Sequence, residues 1–184
     1  MIFRLTHCLS LVFCFGISLP AYAVWDIVAW DPPFDYQGQM RPLLYQPIEK
    51  ATQPWHLCVT YPHLKDPYWL SVNYGMVEEV KRLGVNMTVL EAGGYPQLST
   101  QIEQLKHCTN SASDAIIVGT VSFNGLSPSI RKIAQTTPVV AAVNDIENIG
   151  ISAKAAVSWY SMGEKVGQYL AQRHPIKGDN EAKV

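Results

Sequence analysis

The stretch Leu57–Ala92, "LCVTYPHLKDPYWLSVNYGMVEEVKRLGVNMTVLEA", decides the fold. It opens with a short β-rich run, Leu57–Tyr61. Asp66 then offers a good N-cap and Pro67 a preferred first helical residue. Gly84 closes the helix after about Leu83, and Val85–Ala92 reads as the next strand. Strand, helix and strand in this order, with apolar rather than alternating strands, predict a parallel sheet covered on both faces. The helix start poses a second question. Tyr68 and Trp69 fall in its first turn, the end that carries free N–H groups and the positive dipole.

The alternation continues downstream. "PQLSTQIEQLKHC" (Pro96–Cys108) predicts a second amphipathic helix with Leu98, Ile102 and Leu105 on one face. Asp114–Val121 is a buried-type strand, Ser127–Gln135 a shorter helix and Pro138–Asn144 a fourth strand. Ala155–Trp159 is a candidate fifth strand before a helix from Tyr160 to about Arg173. The expected architecture is therefore α/β: a Rossmann-like parallel sheet of at least four strands with helices on both faces.

Upstream the pattern differs. Arg4 and His7 begin a short basic start, Cys8–Leu19 is apolar, and Ala21-Tyr22-Ala23 is a small-x-small cleavage site. These are the marks of a secretory signal peptide over residues 1–23, cleaved after Ala23. The apolar run is too short to span a membrane. Residues 24–54 hold Trp25, Trp30 and five prolines with no clean period, and are expected to form an irregular arm lying on the lobe or on a partner.

Composition removes several classes. A formal charge of −1 with 16% charged residues supplies no basic field for nucleic acid and no polybasic face for anionic lipid. The glycine pair in "EAGGYPQ" is neither a dinucleotide fingerprint nor a P-loop, and there is no G-x-S-x-G elbow. An exported hydrolase would need such a nucleophile, so an enzyme is the weaker reading, and no cofactor is expected. His56, Cys58, His107 and Cys108 match no zinc spacing, so no metal site is expected. Cys58 and Cys108 are instead candidates for one disulfide, since export favours oxidation. His63 and His174 read as surface residues.

In open parallel sheets, ligands sit outside the carboxyl ends of the strands. Asp66, Tyr68 and Trp69 follow the first strand at that edge, Tyr95 the second, Asn144 the fourth and Trp159 the fifth. Aromatic faces around a small site suit a methylated ammonium, because ring quadrupoles attract a cation whose methyl groups cannot hydrogen-bond. Tryptophans also stack on sugars, so the residues alone leave both ligand classes open.

The signal peptide, the βα alternation and the rim residues together resemble the periplasmic binding proteins of the ribose-binding class. "YPHLKDPYWLSVNYGM", "VLEAGGYPQLSTQ" and "VSWYSMG" are more closely similar to the branch that binds trimethylamine N-oxide. The match covers roughly Trp55 to Tyr169. The resemblance implies a periplasmic, non-enzymatic sensor that binds trimethylamine N-oxide and docks on the periplasmic domain of a membrane sensor histidine kinase. A sugar or another methylammonium solute such as betaine is the alternative ligand. Carried over by motif, Asp66, Tyr68, Trp69, Tyr95 and Trp159 would form one lobe's share of the pocket. The class has two lobes. Residues 55–180 would be the first, and the chain stops at "NEAKV" where the second should begin, so a truncated chain holding half a site is expected.

Overall fold

Trp25–Asp31 (β1) and Gln39–Tyr45 (β2) pair antiparallel, from Trp25 opposite Tyr45 to Asp31 opposite Gln39. The computed structural model describes residues 24–174, and the expected signal peptide lies outside them. The described chain forms two units, one ending at Ile48 and the other beginning at Glu49. The first unit corrects the expectation of an irregular arm: it is a β-hairpin. Residues paired across the ribbon share a face. Trp25, Ile27, Leu43 and Tyr45 therefore line one side, and Val28, Trp30, Met40 and Pro42 line the other. Apolar side chains on both faces erase the period-2 alternation by which a strand is read. Pro42 is tolerated because a two-stranded ribbon consists only of edge strands. Trp30 packs edge-on against Tyr36 in the connecting turn, with ring centroids 5.8 Å apart.

The second unit contains His56–Tyr61 (β3), Pro67–Leu83 (α1), Asn86–Glu91 (β4), Leu98–Asn110 (α2), Ala115–Val118 (β5), Ser127–Ile133 (α3), Val139–Val143 (β6), Ala153–Ala156 (β7) and Trp159–Arg173 (α4). Its five strands pair in parallel in the order β4-β3-β5-β6-β7. The chain thus steps outward from β3 to β4, then crosses back over β3 to β5 and continues the other way. With right-handed crossovers, that reversal puts α1 on one face of the sheet and α2 and α3 on the other. Contacts of α2 with both β3 and α3 agree.

The start of α1 follows its sequence. The Asp66 carboxylate accepts from the Trp69 N–H at 2.9 Å, Pro67 opens the helix, and Gly84 closes it at φ +70°. A left-handed φ of this size is where glycine is favoured. In α2 the buried face is carried by Gln101, Leu105 and Cys108 rather than by Ile102, which is only partly covered. Cys58 in β3 and Cys108 in α2 are joined by a disulfide, their Cα atoms 5.6 Å apart. The last helix, α4, buries none of its residues. No helix among the described residues is long and apolar enough to cross a membrane.

Candidate functional site

The reversal of winding makes a topological switch point between β3 and β5, and in such sheets the crevice for ligands opens there, outside the carboxyl ends. The segments that leave β3, β4, β5 and β6 meet at this place. The first residue to locate is Trp69. It is 1% exposed, its ring 5.4 Å from Tyr61 and 5.9 Å from Tyr68, the latter contact edge-on. A Cβ at Gly119, just past β5, would lie 2.6 Å from Trp69 Cη2, so the indole fills the space that this glycine leaves. Trp69 is therefore the floor of the rim, and its Nε1 edge reaches upward to the Tyr95 hydroxyl at 3.2 Å.

Above that floor the side chains are open. Tyr68 is 41% and Tyr95 48% exposed. Burial, and then the neighbouring Tyr95, hold the Tyr68 phenol above its ordinary pKa. Beneath them, burial pushes the Tyr61 phenol up to about 12, and its hydroxyl donates to Met76 Sδ at 2.9 Å. Asp66 keeps a half-exposed carboxylate at the rim, with Oδ2 3.6 Å from His63 Nε2. His63 is not the surface residue expected from sequence. Its side chain is 14% exposed and its ring stands edge-on to Tyr95 at 5.6 Å.

Asn144 closes the group from the far side. Its Nδ2 donates to the Thr120 carbonyl at 2.8 Å and to the Tyr95 hydroxyl at 3.4 Å. The backbone that aims it is unusual. Val143 has φ +69°, and the Asn144 N–H donates to the Ala142 carbonyl at 2.9 Å, a tight turn through a β-branched residue. Such a conformation is strained, and strain of this kind concentrates at binding sites.

Sequence reasoning missed Gln101. It is fully buried, its Nε2 donating to the Gly119 carbonyl at 2.8 Å and to Thr60 Oγ1 at 3.3 Å. Its Oε1 accepts from the Val121 N–H at 2.9 Å. One glutamine thus braces the segment 119–121 that carries Thr120. A polar side chain one turn before Leu105 on a buried helix face was the available signal.

The structure brings Asp66, Tyr68, Trp69, Tyr95 and Asn144 together. Among the described residues no ring contact or hydrogen bond joins Trp159 to them. It follows β7 at the same edge, in the first turn of α4 behind the Ser158 cap, and is 52% exposed. No group of three potential metal ligands occurs among the described residues.

Residues 54–177 match the family described as periplasmic binding proteins and sugar binding domain of LacI family. The chain belongs to this periplasmic binding protein family. Among curated relatives, it is 40% identical over 156 residues to the periplasmic protein TorT of Escherichia coli K12, an alignment covering 84% of this chain and 43% of TorT. The chain thus spans less than half the length of that relative. A solved structure of an ABC transporter solute binding protein from Bradyrhizobium sp. BTAi1, with bound Bis-Tris, is 46% identical with a TM-score of 0.79. That match covers 90% of this chain and 50% of the other. TorT in complex with the TorS sensor domain in the presence of TMAO is 47% identical with a TM-score of 0.63, covering 70% of this chain and 45% of the other. The α/β architecture is thus that of a type I periplasmic binding protein lobe.

Proposed function

We propose that this chain supplies one lobe of a periplasmic sensor that binds trimethylamine N-oxide and passes the signal to the periplasmic domain of a membrane sensor histidine kinase. The observation that carries the reading is the 47% identity to a TorT solved with the TorS sensor domain in the presence of TMAO. The chemistry of the rim supports the same ligand class. The open rings of Tyr68 and Tyr95 offer faces to a methylated nitrogen, and the Asp66 carboxylate favours its positive charge. Trp159, entering from the start of α4, is assigned to the same cage. The positive end of α1 and the polar hydrogens at the rim suit an N-oxide oxygen. A sugar would need many more paired donors and acceptors to replace the water around its hydroxyls.

A second reading, solute capture for a transporter, is favoured by the Bradyrhizobium relative, a transport protein that holds Bis-Tris, itself an amine. Calorimetric titration of the protein with trimethylamine N-oxide, betaine and ribose tests the ligand. Binding of the N-oxide in preference to the other two is the expected result. Ribose binding alone would sink the methylammonium reading. Solute binding without any ligand-dependent association with the kinase domain would favour transport.

A further inference from the structure

The Tyr95 hydroxyl has its accepting capacity filled from within the protein. Trp69 Nε1–H donates to it at 3.2 Å and Asn144 Nδ2 at 3.4 Å. Neither direction can be reversed. An indole nitrogen is a donor only. The Asn144 amide is oriented by the Thr120 carbonyl, which can only accept, at 2.8 Å. The atom facing Tyr95 is therefore the amide nitrogen. A hydroxyl oxygen with both lone pairs engaged keeps one capacity, its O–H. Among the described residues no acceptor takes that proton, and the side chain is half exposed at the rim.

We propose that Tyr95 is the donor that reads the ligand's oxygen, so that the site selects a methylated ammonium bearing an anionic oxygen over one bearing only methyl groups. The inference rests on the methylammonium reading given above and adds the source of its selectivity. The donor is held ready before the ligand arrives. Gln101 fixes the 119–121 backbone through Gly119 and Val121, Thr120 fixes Asn144, and Asn144 and Trp69 fix the phenol. Little ordering then remains to be done on binding, which is the condition under which a polar contact adds affinity. The Asp66 carboxylate serves the other end of the ligand. It attracts the net cation tetramethylammonium more strongly than the net-neutral N-oxide and so cannot supply the discrimination.

Trimethylamine N-oxide and tetramethylammonium are the probes, because they share a tetrahedral shape and differ by one oxygen against one methyl group. The measurement is the ratio of their affinities for the protein, wild type and Tyr95→Phe. A hydrogen bond to a charged acceptor is worth enough that the ratio should fall by roughly tenfold to a hundredfold in the variant. Asn144→Asp is the second variant. Its carboxylate would accept the Tyr95 proton internally, and it should lower the same ratio with the ring intact. An unchanged ratio in Tyr95→Phe overturns the proposal while leaving the cage reading standing. Should that variant not fold, Asn144→Asp carries the test with the same two outcomes. A wild type that binds neither probe would overturn both the proposal and the reading beneath it.

Discussion

Gly119 and Trp69 are a fitted pair, and the pair can be tested. Trp69 cannot swing aside, since Tyr61 covers its ring and Tyr95 holds its Nε1. Gly119→Ala is therefore expected to destabilise the protein by about 1–3 kcal/mol, the usual cost of forcing extra volume into a packed core. Urea unfolding measures it, and an unchanged midpoint would mean the indole has room to move. Trp69→Ala should cost more, about 3–5 kcal/mol, which makes it a stability variant first and a binding variant second. The sequence made the cap legible through Asp66 and Pro67. It did not show which of two adjacent aromatics points inward. Neighbouring residues on a helix diverge by about 100°, and the choice between Tyr68 and Trp69 depends on the hole above Gly119, fifty residues further along the chain. Tyr61 adds a pH signature. Its phenol keeps its proton up to about 12 in the folded state, against the ordinary value of 10.0. Above pH 10 the unfolded chain releases a proton that the folded one retains, so stability falls as pH rises from 10 towards 12. Thermal unfolding across that window should show a steeper loss for the wild type than for Tyr61→Phe. Parallel curves would mean that Tyr61 ionises as freely folded as unfolded.

At the scale of elements, the helices and core strands were legible because their apolar patterns are regular, and their ends shifted by only a few residues. The strand ending at Val118 is shorter than its apolar run, since the chain must turn at Gly119 to meet Gln101. The hairpin was not legible, and its two apolar faces are the reason. Such a ribbon is marginal by itself, and side chains such as Trp25, Val28, Met40 and Leu44 remain exposed. Large exposed apolar groups gathered on one element mark an interaction surface. The helix α4 has the same character, with Trp159, Met162, Val166 and Leu170 at helical spacing and none of them buried. On the sensor reading proposed above, removing residues 24–48 should weaken signalling to the kinase domain more than it weakens solute binding. A reporter assay beside calorimetry separates the two, and equal losses in both would show that the hairpin serves the ligand site itself.

At the scale of the molecule, the βα alternation implied a parallel sheet, and the crossover rule then limits how its strands can be ordered. What no local pattern carried was the return of the chain over β3, which creates the switch point and brings the ends of four strands to one rim. Cys58 and Cys108 sit on that crossing. The bond ties the interior strand β3 to the last turn of α2, and both residues are fully buried. Gln101, which braces the rim, lies two turns earlier on the same helix. Closing a loop across a sequence separation of 50 restricts the unfolded chain by about 4 kcal/mol in the chain-entropy model. That is a large share of the roughly 5–15 kcal/mol that holds a typical domain together. The folded protein should therefore resist thiol reductants, because its sulfurs are out of reach. Reduced in denaturant and returned to buffer, it should show a urea midpoint lowered by an amount corresponding to about 4 kcal/mol. Because α2 would then be held to β3 only by packing and by the Gln101–Thr60 hydrogen bond, solute affinity should fall together with stability. Rapid reduction of the native protein would show that this face of the sheet opens readily. A reduced protein with undiminished affinity would show that Gln101 holds the rim without help from the covalent tie.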